Sequence, residues 1–388
     1  MKLAIINTLY APNNVGGAEK SVQALAEYFV FLGHDVIVIC LGKENANYKL
    51  NGVSVSSLKI KNDFWPFETI QKNSFQKLRW HFKDSSNVNY NPVFTQILSV
   101  FNPDILLTNN LTGFSTKAWG VAKNLNIKVV HTLRDYYLQC PKSTKFKNNL
   151  NCKNLCRVCK SLSIPKKIDS TSVNYLIGIS NYVLQDHLHY GYFKEIPNKV
   201  IYNGFKIDKW KIDNKTFTNT FGYIGQINKS KGIELLLESF SLINDSSWTL
   251  LIAGNIDDEY LKKLKKINNS VQITYLGYVE STSFFEMIDV LIVPSLWNEP
   301  FGRVVLESLI NNKPVIASDK GGISELLSNN QNFVFTPNVN CLLNLIKKII
   351  SNSNFLNEFK FDKLFLDKFK IEKTSQQYLA VFNQILKD

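Results

Sequence analysis

Short apolar runs alternate with amphipathic helical stretches along almost the whole chain, and this alternation fixes the fold class. In the first half the runs are KLAIINTLY (2–10), DVIVICL (35–41), DILLTN (104–109), KVVHTL (128–133) and YLIGIS (175–180). In the second half they are FGYIGQI (221–227), WTLLIAG (248–254), QITYLGY (272–278), DVLIVPS (289–295) and KPVIASD (313–319). Nearly uncharged runs of this length, each leading into a helical segment, predict parallel strands buried on both faces. At 388 residues the chain is too long for a single core. The expectation is therefore an α/β protein of two Rossmann-like, doubly wound domains. KVIYNGFKI (199–207) reads as the crossover and hinge between them. Ligands of such sheets bind outside the carboxyl ends of the strands, so two facing domains would hold theirs in an inter-domain cleft. The predicted boundaries are 1–203 for the first domain and 204–370 for the second. Residues 371–388 are expected as a helix that packs back on the first domain.

No apolar run is long enough to span a membrane. The opening run could be confused with a signal peptide, but Asn7 and Thr8 interrupt it and no small-residue cleavage site follows. It reads as a buried strand, and the expected location is the cytoplasm. Charge is uneven. Residues 1–200 carry 24 Lys and Arg against 12 Asp and Glu, while the remainder carries 21 against 20. A basic first half is compatible with an anionic partner or with a solvated lysine-rich surface.

Two stretches break the α/β rhythm. KNSFQKLRWHFK (72–83) sets Phe75, Leu78 and Phe82 at helical spacing beside Lys and Arg. Such a helix can lie in an anionic membrane interface, or it can pack on the first sheet. Residues 136–168 form a basic insertion with eight Lys and Arg and no acid. It contains Cys140, Cys152, Cys156 and Cys159. Disulfides are disfavoured in a reducing compartment, and four thiolates in twenty residues suit one tetrahedral structural zinc. Buried, unliganded thiols are the alternative.

The second half holds the chemistry. In NEPFGRVVLES (298–308), Glu299 and Glu307 stand eight apart. Pro300 suits a first helical turn, and Gly302 allows close approach of the backbone to a ligand. A helix beginning near Phe301 would aim its free N–H groups at an anion. The two acids would then be spaced at about the length of a nucleotide sugar, given roughly 1.5 Å of rise per residue. One could hold the hydroxyls of a sugar and the other those of a ribose. In YIGQINKSKGIELLLESF, Lys231-Gly232 opens a helix, where a lysine can reach a diphosphate. Gly16 and Gly17 precede the first helix, so their N–H groups could also face phosphate. SDKGGISELL places Gly321-Gly322 between a strand and a helix.

Taken together, GGAEK (16–20), GISNYV (178–183), IYNGFKIDKW (201–210), GQINKSKG (225–232), LGYVE (276–280), PSLWNEPFGRVVLES (294–308) and ASDKGGISEL (317–326) resemble the retaining GT-B glycosyltransferases of family 4, the group 1 proteins. They follow that family's order and cover most of the chain. The resemblance implies a nucleotide-sugar donor (UDP- or GDP-linked), no metal at the catalytic centre, and transfer with retention at the anomeric carbon. It implies that Glu299 contacts the donor sugar, Glu307 the ribose, and Lys231 the leaving diphosphate. The acceptor would be a glycan or a lipid-linked glycan in surface polysaccharide or glycolipid assembly, by family analogy.

The sequence departs from the family twice. Gln226 stands where many relatives have Arg, so Lys231, Lys229 and the helix after Phe301 and Gly302 would carry the diphosphate. HTLRDYY puts Arg134 where many relatives have His, with Asp135 retained; Arg134 could bind an anionic acceptor or the donor. A nicotinamide oxidoreductase would need G-x-G-x-x-G after the first strand, which TLYAPNNVGGAEK lacks. A GT-B epimerase fits the two-glutamate layout poorly. A non-enzymatic polyanion binder, nucleic-acid binders included, leaves the donor motifs unexplained.

Overall fold

Lys2–Ile6, charged only at its first residue, forms strand β1 at the centre of the first sheet. The computed structural model describes residues 1–13, 16–67, 72–207 and 217–387. The end of the 201–210 motif lies outside them. The chain divides into two units. The first comprises 1–145, 153–206 and 367–388, and the second 146–152 and 207–366.

In the first unit β1 is joined by β2 (Asp35–Gly42), β3 (Ala46–Leu50), β4 (Val53–Lys59), β5 (Ile105–Thr108) and β6 (Lys128–Leu133). A two-residue-strand hairpin follows, β7 (Phe146–Lys147) and β8 (Leu150–Asn151), and belongs to the second unit. β9 (Tyr175–Gly178) and β10 (Asn198–Val200) complete the first sheet, whose order is β10-β9-β6-β5-β1-β2-β4-β3. Only β3 is antiparallel. The helix Gly17–Phe31 packs on this sheet and against the helix Ile371–Ile385; Phe29 meets Tyr378 and Phe382 with ring centroids 6.4 and 5.8 Å apart. The last helix is thus part of the first unit's core. Phe205 N–H donates to Phe369 O (2.8 Å) and Ile371 N–H to Phe205 O (2.9 Å), which fastens the returning chain. Gly204 makes this possible, because a Cβ there would lie 2.7 Å from Ile371 Cδ1.

The second unit contains β11 (Thr220–Ile224), β12 (Thr249–Ala253), β13 (Ile273–Gly277), β14 (Val290–Val293), β15 (Val315–Ser318) and β16 (Val334–Phe335). Their order is β13-β12-β11-β14-β15-β16, all parallel. Strand order reverses between β11 and β14, as it does between β1 and β5 in the first sheet. Ligands of doubly wound sheets bind at such switch points.

Several expectations shift. The boundaries fall at 206/207 and 366/367, because the 205–206 segment pairs with 369–371. Residues 146–152 leave the basic insertion and group with the second unit. In the 199–207 segment, expected as crossover and hinge, the chain is a strand only to Val200 (β10, Asn198–Val200), and the hairpin β3–β4 is additional. The helix expected to start near Phe301 starts at Arg303, since Gly302 takes a positive φ of 93° that is not helical. Pro300 therefore lies in the preceding loop rather than in the first turn.

Candidate active site

The switch point of the second sheet is built from two loops. After β11, Asn228–Gly232 form a tight turn in which the Asn228 side chain accepts from Lys231 N–H (3.2 Å). Gly232 ends it with φ 78°, and a Cβ there would fall 1.8 Å from Pro294 O. Glycine is thus required by both conformation and space. The loop after β14 returns the contact: Leu296 N–H donates to Ser230 O at 2.8 Å. These constraints bring Lys231 to Glu299, Nζ to Oε1, at 2.6 Å. Ser295 Oγ donates to the same oxygen at 2.7 Å, and the Trp297 ring centroid lies 5.1 Å from Nζ.

Glu299 is only 7% exposed. Its backbone is gripped by the Gly321-Gly322 pair: Gly322 N–H donates to Glu299 O (2.8 Å), and a Cβ on Gly321 would lie 2.1 Å from that oxygen. Both partners found for the Glu299 carboxylate among the described residues fall on Oε1, which leaves Oε2 to accept from a hydroxyl. Glu307 sits on the following helix and takes Arg303 Nε at 2.8 Å, an i,i+4 pair. Phe301 is buried and Gly302 caps that helix. Gln226 is exposed, its carbonyl taken by Tyr223 OH at 2.7 Å. Lys229 turns to Glu234 at 3.4 Å.

One contributor had no sequence signal. Asn151, on β8, donates from Nδ2 to Leu296 O (2.7 Å) and accepts from Asn298 N–H (2.8 Å). It braces the loop that carries Trp297 and Glu299. Ser295 and Trp297 belong to PSLWNEPFGRVVLES (294–308), but their roles appear only in three dimensions.

In the first unit Arg134 is buried and braced by two amides: Nε donates to Asn109 Oδ1 (2.7 Å) and Nη1 to Asn203 Oδ1 (2.5 Å). Asp135 follows, accepting from Tyr137 N–H (2.8 Å); burial pushes its carboxyl up to about 6. Gly16 caps the first helix, and its N–H donates to Glu19 Oε2 (2.9 Å) as the helix starts at Gly17. The Gly16 N–H thus already serves Glu19. His131 is a core residue, bonded to Thr108 Oγ1 at 2.9 Å and stacked on Phe193; burial drives its pKa down to about 3.

Residues 205–361 match the model of the group 1 glycosyl transferases, and residues 15–209 match that of Glycosyltransferase Family 4. The chain belongs to glycosyltransferase family 4. The family 4 transferase is 33% identical to an uncharacterised 42.6 kDa protein of the cps region of Klebsiella pneumoniae, over 84% of this chain and 87% of that one. It is 26% identical to an uncharacterised glycosyltransferase of Methanocaldococcus jannaschii, over 92% and 90%. A capsular polysaccharide biosynthesis glycosyltransferase of Staphylococcus aureus is 25% identical over 48% of this chain and 54% of that one. Among solved structures, sucrose-phosphate synthase from Thermosynechococcus elongatus superposes with a TM-score of 0.76 at 16% identity, covering 100% and 99%. Anabaena HepE in complex with UDP and glucose gives 0.73 at 18%, covering 99% and 100%. These likenesses establish the GT-B fold of the transferase.

The cysteines of the transferase interact in series. Cys140, buried, hydrogen-bonds with Cys159, which also hydrogen-bonds with Cys156. That contact and N–H groups of Lys142, Thr144 and Lys145 hold the Cys140 thiol below its usual range, against burial. Cys152 is half-buried. Among the described residues no group of three or more His, Cys, Asp or Glu is placed to hold a metal ion. No described helix is long and apolar enough to cross a membrane. The helix Ser74–Asp84 does not pack its apolar stripe on the sheet: Phe75, Leu78 and Phe82 are 74, 47 and 73% exposed.

Proposed function

We propose that this transferase moves a sugar from a nucleotide diphosphate sugar to a growing surface glycan, with retention at the anomeric carbon. The observation that carries the reading is the Lys231–Glu299 pair at the switch point of the second sheet. A bound donor would part the pair. The ammonium would then neutralise the diphosphate as it leaves, and the carboxylate would accept hydrogen bonds from the sugar. Interactions of this kind, stronger as charge develops on the leaving group, lower the barrier. Glu307 is the residue proposed for the ribose hydroxyls, sharing its carboxylate with Arg303. UDP is favoured as the nucleotide because the HepE protein was solved with UDP and with UDP-glucose. A glycan of the cell surface is favoured because relatives are named for cps regions and capsular polysaccharide.

The test is incubation of the purified chain with UDP- and GDP-sugars, followed by proton NMR of the released sugar or product. Release of UDP with first-formed product in the donor's anomeric configuration supports the proposal. Inverted product removes retention, and inertness towards every nucleotide sugar removes the reading as a whole.

A peripheral membrane position is part of the proposal, supported by the outward Phe75, Leu78 and Phe82 beside Arg79 and Lys83. Aromatic and leucine side chains of this kind enter the interface while nearby cations meet anionic headgroups. Sedimentation with anionic and neutral vesicles across a salt series tests it. Binding to anionic vesicles that weakens with salt is expected. Equal pelleting with both, or none at low salt, removes it.

A further inference from the structure

The first unit has a cavity of about 370 Å³ at the carboxyl ends of its strands. Thr8 after β1, Asn110 after β5 and Asp135 after β6 reach its wall, so it occupies the switch point of the first sheet. The helix Ser74–Asp84 supplies another wall through Lys77, Trp80 and His81, and Lys142 stands beside them. Trp80 is fixed by its indole N–H donating to Phe64 O at 2.9 Å, with the two rings 6.0 Å apart. Phe64 also lines the cavity.

Both signs of charge line this cavity, Lys77 and Lys142 as cations and Glu19 and Asp135 as acids. Lys77 and Lys142 have no hydrogen bond or ion pair to their ammonium groups among the described residues. His81 Nδ1 is buried and has no hydrogen-bond partner. Burial, then Lys166, Lys142 and Lys77, push the imidazole down to about 4, so it is neutral and surrounded by cations. Glu19 and Asp135 line the same cavity but feel other neighbours; Asp135 is acted on by Lys166, Glu19 and Cys140. Lys166 is the one charge common to His81 and Asp135, and it is held elsewhere, donating to Tyr137 O at 2.9 Å. Unpaired cations beside an unpartnered buried nitrogen lack a counter-charge, and a ligand can supply one. Arg134 already donates to Asn109 and Asn203.

We infer that this cavity takes an acidic acceptor sugar, whose carboxylate or phosphate lies on Lys77, Lys142 and His81 and whose hydroxyls face Asp135 and Glu19. The inference rests on the transferase reading for its word acceptor. Phe64, Pro66 and Phe67 give the cavity apolar wall for a pyranose ring. Asp135 and Glu19 accept hydrogen bonds from hydroxyls and repel a second anion, so the sugar enters in one orientation.

The test is ligand-observed NMR and calorimetry on the full chain saturated with UDP, using D-glucuronate, glucose 6-phosphate and glucose as probes. UDP saturation keeps the phosphate probe out of the donor site. At least one acidic probe should bind at least tenfold more tightly than glucose, and which one does so distinguishes carboxylate from phosphate. The double variant Lys77→Ala/Lys142→Ala should lose that preference, with UDP affinity and UDP-sugar hydrolysis unchanged. Equal binding of glucose, or a preference that survives the double substitution, overturns the inference. Wild-type protein that binds no UDP and hydrolyses no donor would count against the transferase reading instead. The anion measurement, repeated without UDP, would still decide the subsite.

Discussion

Lys231 Nζ lies 2.6 Å from Glu299 Oε1, although the residues are 68 positions apart in the chain. Two loops, two glycines without room for a side chain and one distant asparagine converge on that contact. It is the centre from which the predictions for the second unit follow.

Glu299→Gln keeps the shape and removes the charge. Transfer should fall by about 10²–10³-fold in kcat, with the thermal midpoint changed by only a few degrees. Lys231→Ala should weaken UDP binding by about tenfold or more and uridine binding little, because the ammonium acts on phosphate. Calorimetry with both ligands distinguishes the two effects. Equal losses would take Lys231 away from the diphosphate.

Gly232→Ala meets two obstacles at once. The backbone has φ 78°, and the new Cβ would stand 1.8 Å from Pro294 O. Strain of this kind costs about 3 kcal/mol or more unless the loop moves. Urea unfolding should therefore show a clear loss of stability, accompanied by weaker donor binding. A variant as stable as wild type would mean that the Pro294 loop yields freely.

Asn151→Ala deletes two hydrogen bonds and leaves Leu296 O and Asn298 N–H to find other partners. A cost of about 1–3 kcal/mol is expected. Donor KM should rise several-fold, since the freed loop carries Trp297 and Glu299. Unchanged kinetics with lowered stability would make Asn151 a purely structural brace.

The buried Asp84 gives a pH signature in the first unit. Its carboxyl accepts from Gly113 N–H at 2.7 Å, yet burial raises its pKa from 3.8 to about 6. The folded state then holds a proton that the unfolded state releases, so stability falls as pH rises from about 4 to about 6 and levels off above. A rise from 3.8 to about 6 corresponds to about 3 kcal/mol. Subtracting the stability profile of Asp84→Asn from that of the wild type should reveal this slope. A flat difference, or one rising with pH, would show that the nearby Lys166 offsets the burial.

A structural zinc on Cys140, Cys152, Cys156 and Cys159 is proposed from their spacing, with the N–H groups at the Cys140 sulfur favouring a thiolate. Elemental analysis of protein purified without chelators should find about one zinc per chain, lost in Cys140→Ser. Metal-free protein would leave the sulfurs as the hydrogen-bonded thiols described above.

The central strands were legible because parallel strands buried on both faces must be uncharged within: β5 and β14 carry no charge, and β1 and β6 carry only the lysine that opens each. The hairpin β3–β4 was missed because ANYKL and VSVSSLK are short and mix polar with apolar residues. Its signal was nevertheless present in Asn51-Gly52, both at positive φ (48° and 85°), a pair suited to a tight turn between antiparallel strands. Glu299, Lys231 and the Gly321-Gly322 pair could be picked out by type and neighbourhood. Asn151 could not, since an asparagine in a polar loop looks like any other until its loop lands on another. Nor could the exposure of Phe75 and Phe82, because an amphipathic pattern fits burial against a sheet as well as it fits a free surface.

The helix Ile371–Ile385 completes the core around Phe29, so the beginning and the end of the chain must meet before the first unit is whole. During synthesis the second unit can close while the first still waits for its last helix. Until Ile371–Ile385 has been made, the nascent chain carries the Phe29 face of the helix Gly17–Phe31 uncovered, and exposed apolar surface of this kind is prone to aggregate. Removing the final twenty residues would leave the second unit able to fold and make the first the part that aggregates.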